Sequence, residues 1–162
     1  MSFPRAVAPA LASALWLTAC DTSAHGRCEL AKAQRIAMAH GSSFDAVSLV
    51  AQAKGGIALY SDSAGAWARA VTADGGPVGS AVRLGERCPG GMAGVDSGGL
   101  LYVTCMRPGS PGSLSLMRID HTAGAWSVGT ELLLASVGPA ARGVAIAADG
   151  GGVSVLFHDA SA

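Results

Sequence analysis

One pattern constrains this chain more than any other: an apolar run, a glycine pair and a second apolar run. It is clearest in Ala93-Gly94-Val95-Asp96-Ser97-Gly98-Gly99-Leu100-Leu101-Tyr102-Val103. It stands earlier as Ser48 to Tyr60 around Gly55-Gly56, and later as Val144 to Phe157 around Gly150-Gly151. Glycine takes the positive φ angles that tight hairpins need, and β-branched and aromatic residues flank it here. Each copy therefore predicts two antiparallel strands folded back on one another. Gly55, Gly56, Gly98, Gly99, Gly150 and Gly151 are the expected turn glycines.

Extending the pattern gives two groups of four strands and the start of a third. The first group is predicted at 47–53, 57–61, 66–72 and 78–84. The second is predicted at 92–96, 100–106, 114–119 and 126–134, and the third begins at Val144. A second echo fixes the same register, because Val78-Gly79-Ser80 in one fourth strand matches Val128-Gly129-Thr130 in the other. The 23 glycines are about double the usual share, which favours short strands and turns over helices. With 162 residues, the chain suits one domain with a real core.

Repeats of about 40 to 50 residues with four strands each resemble β-propeller blades. The resemblance covers roughly 44–157 and is one of pattern, since no tryptophan-aspartate dipeptide or kelch consensus is present. It implies an all-β, partial propeller of about two and a half blades, with units at 44–87, 88–137 and 138–162. A small β-sandwich is the alternative. Open strand edges in such an arrangement invite self-association.

The N-terminus reads differently. Arg5 precedes an apolar run from Ala6 to Leu17, too short to cross a bilayer but suited to the centre of a signal peptide. The run ends in Leu17-Thr18-Ala19-Cys20, which resembles the lipobox of bacterial lipoproteins. That resemblance implies a signal peptide over 1–19, lipidation of Cys20, and a protein tethered to a membrane of the bacterial envelope, on its periplasmic or cell-surface side. More than one acyl chain is needed for firm anchoring. Residues 20–43 are then a tether and lead-in, in which 28–38 fits a helix or, at 34–38, an extended strand.

An exported domain can keep disulfides. If the hairpin bends at Ser97 to Gly99, Cys105 and Cys88 come to the same open end of that hairpin, within the α-carbon separation a bridge requires. Cys88 to Cys105 is the expected bond, and two reduced cysteines are the alternative. No C-x-x-C pair points to zinc or redox chemistry, and no metal or cofactor is expected.

Candidate chemistry is thin. Asp96-Ser97-Gly98-Gly99 and Ala37-Met38-Ala39-His40 resemble the serine and histidine segments of chymotrypsin-like proteases. However, the first occupies the position of a repeating turn, and the chain is too short for the double barrel. Ser61-Asp62-Ser63-Ala64-Gly65-Ala66-Trp67 is similar to the Asp-box turn of sialidase propellers, which marks a fold rather than a site. The aspartates at 62, 74, 96, 120 and 149 read as turn residues bonding their own backbone, and the histidines read as isolated. Eleven basic and eleven acidic residues cancel without clustering, so no nucleic-acid footprint is present. The expectation is a non-catalytic binding or scaffolding module for a protein or glycan ligand. The alternative is part of a propeller hydrolase or lyase with its active site in other blades.

Overall fold

A computed structural model describes residues 35–41, 43–121, 125–149 and 152–161. It is all-β and antiparallel, without helix among the described residues. The first sheet is a meander of β1 (Ala46–Gln52), β2 (Gly55–Asp62), β3 (Gly65–Val71) and β4 (Pro77–Gly85), hydrogen-bonded in that order. The second sheet holds β5 (Gly91–Ser97), β6 (Leu100–Arg107), β7 (Gly112–Asp120), β8 (Ser127–Val128) and β9 (Leu132–Val137), with β8 and β9 both paired to β7. The third is a hairpin of β10 (Ala141–Asp149) and β11 (Gly152–Asp159).

Two expectations need correction. The first bend falls at Ala53-Lys54, one step before Gly55-Gly56, because Gln52 pairs with Gly55. Gly55 opens β2 at φ +135°, where an added Cβ would lie 2.2 Å from the Val71 carbonyl oxygen. Glycine is required there by the approach of β3, not by the turn. At Gly98 and Gly99 the glycines are the bend itself, with φ of +62° and +81°, as a two-residue primed turn demands. The third hairpin pairs Asp149 with Gly152, and Gly150 and Gly151 between them lie outside the described residues.

The second correction concerns the fourth strand of the second group, expected as one piece over 126–134. It is broken into β8 and β9. Val128 pairs with Ile119 and Leu132 with Leu116, so three residues of the outer strand face two of β7. The same irregularity occurs in β4, where Val78 pairs with Ala70 and Val82 with Ala68, leaving three residues opposite one. The repeated Val-Gly-Ser/Thr element is thus a bulge in both sheets. Gly79 supplies a φ of +62° in one, and in the other Gly129 N–H donates to the Arg118 carbonyl at 2.9 Å.

The alternating side chains sort into layers. Val50, Ile57, Leu59, Ala66 and Ala68 of the first sheet face Met92, Leu101, Val103, Met117 and Ile119 of the second, and all are buried. Gly94 lets β5 come close, since a Cβ there would lie 2.5 Å from Leu59 Cδ1. On the far side of the second sheet, Met106, Leu114, Val137 and Ala141 form a smaller core with Val144 and Val155 of the hairpin. The leading strands of the three sheets, β1, β5 and β10, lie successively against one another.

The lead-in also packs earlier than expected. Residues 35–39 form neither helix nor strand, yet Ile36 is buried against Ala58 and Val71, and Phe44 meets the Tyr60 ring edge-on at 5.6 Å. Arg69 Nη1 donates to the Ile36 carbonyl at 2.7 Å. The segment is a strap across the outer face of the first sheet.

Candidate functional site

Two histidines expected to stand alone are instead held by aspartates. Asp62 ends β2 with its side chain fully buried. Its Oδ1 accepts the N–H groups of Ala64 and Gly65, at 2.9 and 3.2 Å, and the indole N–H of Trp67 at 3.2 Å. Its Oδ2 accepts the backbone N–H of His40 at 2.9 Å and lies 2.8 Å from His40 Nδ1. The imidazole stacks on Trp67 with centroids 5.3 Å apart. Burial alone would oppose ionisation of Asp62, but the backbone and side-chain hydrogen bonds from His40, then those from Ala64 and Trp67, outweigh it. They bring its pKa down to about 2.

The second cluster lies at the opposite end of the strands. Asp96, next to the last residue of β5, caps its turn by accepting the Gly99 N–H through Oδ1. Its Oδ2 accepts Gln52 Nε2 at 2.6 Å and lies 2.9 Å from His121 Nε2. Trp126 leans on the His121 ring at 5.7 Å. One carboxylate thereby ties the end of β1 to the end of β5 and to the segment after β7.

The two clusters share a plan: a turn aspartate spends one oxygen on the turn and the other on a histidine that rests against a tryptophan. The sequences Ser63-Ala64-Gly65-Ala66-Trp67 and Thr122-Ala123-Gly124-Ala125-Trp126 are alike, and their tryptophans each rest against a histidine, although 122–124 lie outside the described residues. Sequence reasoning missed both pairs. His40 is 22 positions from Asp62 and His121 is 25 from Asp96, and only the folded sheets bring them together. The protease-like segments do not meet as a triad: His40 joins Asp62, and Asp96 joins His121. Ser63 Oγ donates to the His40 backbone carbonyl at 3.2 Å, and among the described residues the imidazoles take their hydrogen bonds from aspartate and from Gln52 rather than from a hydroxyl or thiol.

Cys88 and Cys105 are disulfide-bonded with α-carbons 5.2 Å apart. The Cys88 N–H donates to Ser61 Oγ at 2.7 Å, so the bridge is also fastened to the first sheet. Cys20, the expected lipidation residue, and Cys28 lie outside the described residues. The turn aspartates at 62, 96 and 149 do accept nearby backbone N–H groups, and Asp74 lies within a turn closed by Thr72 and Gly76. Among the described residues no three His, Cys, Asp or Glu side chains gather as a metal site. Tyr60 is buried beneath the strap, and desolvation raises its pKa despite the nearby Arg69 charge. Comparison with protein-family models, curated proteins and solved structures finds no match for this chain.

Proposed function

We propose that this chain is an exported, lipid-anchored protein of the bacterial envelope whose sheets form a non-catalytic, propeller-like binding or scaffolding module. The observation that carries the reading is the Cys88 to Cys105 bond, buried between two sheets. Such a bond belongs to an oxidising compartment outside the cytosol. The signal-like leader and the Leu17-Thr18-Ala19-Cys20 motif lead to the same compartment, and Cys20 is the residue assigned the anchor.

The packing of β1, β5 and β10 against one another supports the propeller-like part of the reading, because the innermost strands of successive blades lie side by side around an axis. The His40 and His121 imidazoles are each taken up by a turn aspartate that also fastens sheet ends and lead-in together, which supports a binding or scaffolding role. The ligand class is a protein or glycan.

Metabolic labelling with a fatty-acid analogue tests the anchor. Wild-type protein takes the label and sediments with membranes, and Cys20→Ala abolishes both. Unlabelled wild type overturns the anchor.

A further inference from the structure

β3 presents Trp67, Arg69 and Val71 on the outer face of the first sheet, and the strap meets them in reverse order. Ile36 is buried against Val71 and Ala58, the Ile36 carbonyl accepts Arg69 Nη1 at 2.7 Å, and the His40 ring stacks on Trp67. The middle contact differs from the other two, because Arg69 has a second partner. Its Nε and Nη2 both donate to the Gly79 carbonyl, at 3.0 and 2.7 Å.

Gly79 lies in the bulge of β4. The ladder pairs Ala68 with Val82 and Ala70 with Val78, so the one β3 residue opposite the three bulged ones is Arg69 itself. A bulge takes residues out of the ladder, and a carbonyl released in this way is free to accept another donor. Here the side chain of the opposing residue supplies it. Gly79 has a φ of +62° and a Cβ there would meet nothing within 4 Å, so backbone conformation rather than crowding selects glycine at this point.

One rigid group therefore serves two elements distant in sequence. The guanidinium is planar and its donors form a fixed fork, so aiming the Nε and Nη2 edge at Gly79 also decides where Nη1 points, which is at Ile36. Ordering this long side chain carries an entropic cost that the two contacts share. With the strap seated, the bulge bonds form on a side chain already held, and the reverse is equally true. Two sites that order the same group favour one another without touching.

We propose that the strap is a latch on the outer edge of the first sheet: residues 36–40, when seated, hold the β4 bulge in place through Arg69, and lifting them loosens it. A bulged edge is a poor template for an added strand, so the latch sets how well this edge is guarded. This goes beyond the anchored-module reading and does not depend on it.

Hydrogen exchange of the full-length chain tests the latch, read at 36–41, at 78–82 and, as a reference for global opening, in β6. Ile36→Ala removes the apolar seat of the strap while leaving Arg69 and Gly79 in place. It should speed exchange at 78–82 about threefold or more, with β6 unchanged. Gly79→Ala strains the bulge and should, by reciprocity, speed exchange at 36–41 by a similar factor. Arg69→Lys keeps the charge but replaces the fork with a point donor, and in that background both transmitted effects should vanish. Should Ile36→Ala also speed β6, Ile36→Val reads the same transmission with a smaller loss of stability. A strap variant that speeds 36–41 and leaves 78–82 unchanged overturns the proposal. So does Gly79→Ala without effect on 36–41, or transmission that persists undiminished in Arg69→Lys.

Discussion

The first sheet and the last hairpin are made from the same kind of sequence, yet they hold their side chains differently. Every residue of β2 from Gly56 to Asp62 is buried, because the second sheet covers one face and the strap covers the other. In β11 exposed and half-buried residues alternate up to Leu156, because only one face is covered. Hydrophobic composition alone does not distinguish the two strands; what lies on either side of the sheet does. A two-stranded hairpin is marginal by itself, so the third sheet depends on its contact with the second in a way the first does not.

The sharpest way to break this contrast is to remove equivalent leucines. Leu59→Ala, in the layer shared by the first two sheets, should lower unfolding free energy by about 2–5 kcal/mol in urea denaturation, whereas Leu156→Ala should stay within about 0.5 kcal/mol. Equal losses would mean that the two regions are covered alike. Replacing both Cys88 and Cys105 by alanine opens a loop with a sequence separation of 17 and should cost about 3 kcal/mol, read as a lowered melting temperature that reductant no longer shifts.

Glycines sharpen the comparison next. Gly55→Ala forces a Cβ against the Val71 carbonyl and should destabilise by about 3 kcal/mol or more. Gly98→Ala meets open space and should cost only the left-handed backbone penalty of about 1 kcal/mol. Thermal melts of the two variants check the difference.

Asp62 gives the smallest effect and the one that depends on pH. Its folded pKa of about 2 lies below the unfolded value of about 3.9, so its contribution is present above pH ~4 and is lost as pH falls through about 2. Asp62→Asn should flatten the stability profile across that window and speed hydrogen exchange in residues 36–44. An unchanged acid limb in the variant would show that the strap is held without the Asp62 carboxylate, by its apolar contacts and the Arg69 bond to Ile36.

Much of the fold was legible because hairpin punctuation is local. The bend at Gly98-Gly99 set the register that brings Cys105 opposite Met92 and near Cys88, so the bridge could be anticipated from residues close in sequence. The bend beside Gly55 was misplaced because two different demands, a turn and a close backbone approach, both select glycine. Gly129 marks a bulge within the run from Trp126 to Leu134, a signal that the strand-like residues on either side of it mask. The histidine clusters were illegible for a different reason. Each depends on how sheet ends and lead-in meet after folding, and no local pattern records that. The strap was hidden likewise, since Ile36 and Phe44 lack a period that fits helix or strand.

Where the seams are fastened has a further consequence. Between the first and second sheets the closures sit at both extremities of the strands, Gln52 with Asp96 and His121 at one, Cys88 with Ser61 and Cys105 at the other. The second seam has the Gly143 N–H to Gly90 carbonyl bond at one extremity and apolar contacts beside it. A pull applied along the chain from its C-terminal side would therefore peel β11 and β10 away first, with the two leading sheets coming off afterwards as a single block.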